Sequence, residues 1–88
     1  MTEVLIKQIS FSDDAMTTLF NDGVSVVVPL PQLPRLNAAS AADRDQWELI
    51  GGGQGVHWPK VDEDLSIENI LAAYSRSKRA KYAQTSAG

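Results

Sequence analysis

Polar and apolar positions change rhythm several times along the chain, and each change marks an element. Val4-Leu5-Ile6-Lys7-Gln8-Ile9-Ser10-Phe11 is β-branched and partly alternating, which predicts a strand, and Ser12-Asp13-Asp14 supplies side chains that favour a turn. Ala15-Met16-Thr17-Thr18-Leu19-Phe20 and Val24-Ser25-Val26-Val27-Val28 then flank Asn21-Asp22-Gly23, where Gly and Asn or Asp tolerate the positive φ of a tight turn. A β-hairpin is predicted here. Val24, Val26 and Val28 share one face of its second strand, and Val27 makes the other face apolar too, so that strand is expected at the centre of a sheet.

Pro29, Pro31 and Pro34 interrupt the strand pattern, because proline removes a ladder donor and steers its predecessor away from helical angles. Ser40-Ala41-Ala42-Asp43 then places an N-cap hydroxyl three residues before a carboxylate, predicting a short helix through Gln46. Trp47-Glu48-Leu49-Ile50 and Val56-His57-Trp58 read as two further short strands around a glycine-rich turn. From Ser66 onward, Ile67, Ile70, Leu71 and Tyr74 fall at i, i+3, i+4 and i+7, one stripe of an amphipathic helix with Asp62, Glu63 and Asp64 at its positive end. The stripe stops at Tyr74. A continuation through Ser75 to Ala80 would be solvated on every side, and residues 84–88 are expected to fray.

The expected fold is therefore α+β: a small antiparallel sheet of about five strands, with a short helix and one C-terminal amphipathic helix packed on it. Residues 1–75 form the expected domain, and residues 76–88 an expected basic, disordered tail. At 88 residues the chain has room for one core, burying about 60–65% of the surface that its unfolded form exposes. It has no cysteine, so apolar packing or a partner must stabilise it, and a reducing compartment suits it. The N-terminus lacks the basic start and apolar run of a signal peptide, and no apolar stretch is long enough to span a membrane. A cytoplasmic location is expected.

The formal charge of -3 conceals a polarity, because residues 1–75 hold all eleven acids against only Lys7, Arg35, Arg44 and Lys60. The other cations, Arg76, Lys78, Arg79 and Lys81, lie together near the C-terminus. An acidic body makes a poor general nucleic-acid binder, since phosphate affinity needs a cationic footprint, though the tail alone can touch nucleic acid or an acidic partner.

The rarest residues gather in one stretch. Trp47 to Pro59 holds both tryptophans, the only histidine and four of the six glycines. A phosphate loop requires Gly-Lys-Ser or Gly-Lys-Thr leading into a helix, whereas Gly55 leads into Val56-His57-Trp58-Pro59, so a structural turn is the better reading. His57 with Asp62, Glu63 and Asp64 offers metal-competent ligands, yet alternation turns His57 away from the face shared by Val56 and Trp58, and the acids already suit a helix start. The calcium-loop spacing is absent as well. With no cysteine and no serine in a nucleophile-elbow context, an enzyme is not expected, nor is a cofactor or metal. Trp47 and Trp58 read first as packing between the strands they terminate, and second, for Trp58 beside Pro59, as an aromatic anchor for another protein.

In order, Phe20-Asn21-Asp22-Gly23, Val28-Pro29-Leu30, Pro34-Arg35-Leu36, Trp47-Glu48-Leu49, Gly55-Val56-His57-Trp58-Pro59 and Asp62-Glu63-Asp64-Leu65-Ser66-Ile67 resemble the small bacterial domain-of-unknown-function family 2442 over about residues 4–73. The resemblance implies a compact α+β domain, often encoded beside a small toxin-like protein and sometimes fused to a helix-turn-helix domain. It therefore implies an antitoxin-like or regulatory role without catalytic residues. Within residues 1–88 the sequence predicts only the basic tail, and no helix-turn-helix segment, after the last helix. The expectation is a non-enzymatic protein-interaction domain whose partner surface is Trp58, Asp62, Glu63 and Asp64, with a homodimer as a further arrangement open to it. The alternative is an accessory nucleic-acid-binding autoregulator acting through Arg76, Lys78, Arg79 and Lys81.

Overall fold

In the computed structural model, which describes residues 3–87 and the side chains of residues 3–78, the first three strands form an antiparallel meander. β1 (Ile6–Phe11) pairs with β2 (Ala15–Phe20), which pairs with β3 (Ser25–Pro29). Alternation selects the inner face, so Met16, Thr18 and Phe20 of β2 are buried while their neighbours are not. The predicted hairpin closes at Gly23 with φ of 90°, and the Asp22 carboxylate accepts from the Val24 amide at 3.0 Å. Asn21 ties this turn to the incoming chain: its side chain accepts from Leu5 N–H at 3.1 Å and donates to the Glu3 carbonyl at 3.0 Å.

The central strand is β2, not β3 as the valine pattern predicts. β3 is an edge strand, and its outward Val27 is 51% exposed rather than covered by a second layer. The prolines that stop the strand go on to start helical turns, a 3₁₀ turn at Leu30–Gln32 and α1 (Pro34–Ala38), each with proline in its first turn, where a missing N–H costs nothing. These turns bury Leu30, Leu33 and Leu36. In α2 (Ala41–Arg44) the Ser40 hydroxyl accepts from the Asp43 amide at 3.1 Å, the predicted cap.

A second antiparallel meander follows instead of an extension of the first: β4 (Glu48–Ile50), β5 (Gly55–Trp58) and β6 (Glu63–Ser66). Among the described residues the strands thus number six in two sheets, and β6 occupies residues expected to lead into the helix. A strand with one large apolar residue, Leu65, among acids has no visible strand signature; pairing with β5 makes it one. The helix start is capped by other groups. Ser66 Oγ accepts from Asn69 N–H at 3.0 Å while Asn69 Oδ1 accepts from Ser66 N–H at 3.1 Å, a reciprocal capping box.

α3 (Ile67–Ala87) packs against β3 and β6. Ile70 and Ala73 are buried, with Ile67 and Tyr74 partly so, whereas Leu71 is exposed: the buried stripe passes through Ala73 in its place. No break in the α3 backbone marks the expected boundary at residue 75. The side chains of the expected tail from residue 79 onward, Arg79 and Lys81 among them, lie outside the described residues.

One hydrophobic core runs through both sheets, from Ile6, Ile9 and Met16 to Val56, Trp58 and Ile70. Their joint is the turn after β4. Gly51, Gly52 and Gly53 adopt φ of 60°, 71° and 117°, and Gly53 O accepts from the Ile6 amide of β1 at 2.7 Å. Three successive positive φ angles need glycine, and the last of these residues touches the other sheet. The adjacent Gln54 carbonyl accepts from Ile67 N–H at 3.2 Å and ties α3 to the same turn.

Candidate functional site

The outer face of the second sheet collects the chemistry. Register places Glu48 opposite His57 and His57 opposite Asp64, so these three side chains form a row across β4, β5 and β6. The next row is Ile50, Gly55 and Ser66. On the inner face Val56, Trp58 and Leu65 are buried, which fixes the direction of the outer row and turns His57 away from them, as its alternation predicts. Sequence reasoning passed over Glu48, Ile50 and Gly55. The signal lay in the tight turn, which aligns Trp47-Glu48-Leu49-Ile50 antiparallel with Gly55-Val56-His57-Trp58.

β5 and β6 are joined by a turn in which Val61 N–H donates to the Trp58 carbonyl at 3.2 Å. Pro59 occupies the second position of that turn, where its fixed φ is preorganised. Asp62 follows in the left-handed region with φ of 55°, a conformation costing about 1–2 kcal/mol for most residues and less for a short polar one. Its carbonyl accepts from Arg35 Nη1 at 3.4 Å, which holds the loop against α1.

His57 Nδ1 pairs with Asp64 Oδ1; the imidazole is 32% exposed and the carboxylate 69%. Among the described residues this is the only charged side-chain pair within ion-pair distance. The hydrogen bond to Asp64 raises the His57 pKa above its ordinary value of 6.5, burial opposes this, and the charges of Asp64, Glu48 and Asp62 raise it further. The pair stabilises the fold fully below the unfolded value, and that contribution is lost as pH rises through the raised folded value. Wild type should therefore lose stability relative to His57→Gln as pH climbs from below about 6.5 through the folded pKa. Urea unfolding of both proteins across that window, beside an NMR titration of the single histidine, measures it. A difference between the two that stays flat with pH would contradict the pairing.

The expected partner residues do not share one face. Asp62 and Asp64 join Glu48 around His57, but Glu63 lies on the other face of β6, against Gln32, Leu33 and Pro34. Trp58 is corrected outright as a partner contact. It is 0% exposed, the largest fully buried side chain, and its indole N–H donates to the Arg44 carbonyl at 2.9 Å. Tryptophan at this position fills the core between the sheets because the inner face of β5 requires volume there, and the carbonyl satisfies its one polar atom. Trp47 is partly buried against the same core.

Of the tail cations, Arg76 Nε donates to Gln32 Oε1 at 3.4 Å and Lys78 lies over the Tyr74 ring at 5.4 Å. Among the described residues no group of three or more His, Asp or Glu side chains is placed to hold a metal ion. No helix among them is long and apolar enough to cross a membrane.

Residues 6–76 match the model of a family described as protein of unknown function, DUF2442. The chain belongs to this family. The stretch from Gly55 to Leu65 forms the β5–β6 hairpin, with Gly55 on the outer face, Trp58 in the core, Pro59 in the turn and Leu65 returning to the core. A crystal structure of a protein of unknown function from Rhodospirillum rubrum ATCC 11170 is similar, with a TM-score of 0.69 at 23% identity over 81% of this chain and 88% of the other. That likeness is one of fold. No curated protein matches the chain. DUF2442 membership thus carries architecture and motif order, and the function must be argued from the surface.

Proposed function

We propose that the domain is a non-enzymatic protein-interaction module, an antitoxin-like or regulatory partner of a small toxin-like protein. One observation carries this reading: Glu48, Asp62 and Asp64 cluster around His57 on an open sheet face, and no lysine or arginine side chain among the described residues pairs with them. Carboxylates that no lysine or arginine of the described residues neutralises set up a negative potential that steers a basic partner into contact. The resemblance carried by the motif order, which implies a toxin-like neighbour, supports the same assignment. Catalysis has little support. The His57 and Asp64 pair stands on an exposed strand face, where water screens the charges that an active site must sharpen.

Co-expression with the product of the neighbouring gene should give a complex that co-purifies. Reversing Asp62 and Asp64 to lysine should slow its association at low salt by about tenfold or more, while Glu63→Lys, on the other face, has a smaller effect. An unchanged association rate in the double reversal would remove this surface from the reading. The alternative nucleic-acid role draws less support, since Arg76 and Lys78 are held by Gln32 and Tyr74 of the same chain and the body beside them is acidic.

A further inference from the structure

Beside the carboxylates the outer face has a notch. Gly55 sits on the middle strand between Ile50 and Ser66 with no side chain of its own, leaving a groove of about 310 Å³ lined by Ile50, Gln54, Gly55, Asp64, Ser66 and Asn69. A Cβ at Gly55 would stand 3.0 Å from the Leu65 carbonyl oxygen, so the floor is held bare by close strand packing. Ile50 forms an apolar wall and is 45% exposed. At one end stands Asp64. One of its oxygens is engaged by His57 and the carboxylate is 69% exposed, so its other oxygen remains open to a donor.

An apolar trough ending at a carboxylate matches a side chain with an aliphatic stem and a cationic head. An anionic ligand would meet the Asp64 carboxylate, and an apolar one would desolvate it without compensation. Ser66 Oγ and Asn69 Oδ1 each accept from the other's backbone amide in the helix cap, and Asp64 is the one charged acceptor lining the notch. We propose that the notch receives one lysine or arginine side chain of a partner protein, its stem over Gly55 against Ile50 and its head on the free oxygen of Asp64. This deepens the reading of the acidic face as a partner surface and rests on it for the partner's identity.

The probe is the peptide acetyl-Gly-Val-Arg-Val-Gly-amide, compared with the same peptide carrying citrulline, the neutral isostere, in place of arginine. Titration into the full chain, read by amide chemical shifts, should move Ile50, Gly55, Asp64 and Ser66, with about tenfold weaker binding for citrulline. Asp64→Asn should weaken the arginine peptide by about as much, and Ile50→Ser by about fivefold through lost apolar contact. Both positions are exposed, so the variants retain the fold. Equal affinity for the two peptides, indifference to Ile50→Ser, or shifts lying elsewhere overturns the proposal. Shifts of these amides that depend on protein concentration before any peptide is added would assign the notch to the chain's own basic residues 76–81 in a second copy, and also overturn it. Failure of the two readings is separable. Peptide binding as described without a complex with the neighbouring gene product removes the antitoxin-like role and keeps the notch; a complex sensitive to Asp62 but not to Ile50→Ser does the reverse.

Discussion

Gly53→Ala is expected to destabilise the domain by about 3–5 kcal/mol, whereas Gly52→Ala, one residue earlier in the same turn, should cost only about 1 kcal/mol. Both residues have positive φ, but their surroundings differ. A Cβ at Gly52 meets nothing within 4 Å, so its cost is conformational alone. At Gly53 φ is 117°, beyond the left-handed helical well, and a Cβ would stand 2.7 Å from the Ile6 carbonyl oxygen and 3.0 Å from Leu5 Cβ. The turn would have to lift from β1 and give up the 2.7 Å bond from Ile6 N–H to Gly53 O. That leaves a backbone pair unsatisfied beside the core, a loss of about 1–3 kcal/mol added to the strain. Urea midpoints at constant m-value measure the difference. Equal, small losses at the two glycines would show that the turn does not join the sheets.

Trp58→Ala should cost about 3–5 kcal/mol through the cavity it opens, and Trp58→Phe roughly 1–2 kcal/mol, since a smaller ring fills part of the space but cannot reach the Arg44 carbonyl. More than one contact is at stake. The Phe11 ring meets Trp58 edge-on at 6.4 Å between centroids and lies under the Arg44 guanidinium at 5.9 Å. Arg44 Nη1 in turn donates to the Leu36 and Ala39 carbonyls at 3.0 and 2.9 Å, closing the C-terminal end of α1. Trp58 therefore sets the position of a cation that holds two helices to the first sheet. Denaturant unfolding reads the stability. A Trp58→Phe protein of wild-type stability that no longer bound its partner would return this tryptophan to the interface.

Much of this architecture was legible locally. The Asn21-Asp22-Gly23 hairpin, the Ser40 cap and the helix from Ser66 each depend on a few adjacent residues, and each forms as those residues predict. What failed was long-range or compensated. Val27 reads as buried because β-branched residues suit any strand, and among the described residues no second layer covers its face, which leaves it half in water. β6 is hidden by its acids, whose preference for a helix start competes with the pairing that β5 imposes. At the site, the outward turn of His57 followed from alternation, but its pairing with Asp64 required the register of a strand that the pattern does not reveal. Trp58 shows a different ambiguity: a large aromatic with one polar atom suits a core and an interface equally until a carbonyl is found for its N–H.

Every strand of either sheet pairs only with its neighbour in sequence, and the bond between Gly53 and Ile6 is one of the places where the chain's two halves meet. Loop-closure entropy is accordingly small within each meander and is incurred chiefly where the two halves join. The glycine turn is thus a backbone strut between two locally paired halves, bare enough of side chains to lie directly on β1.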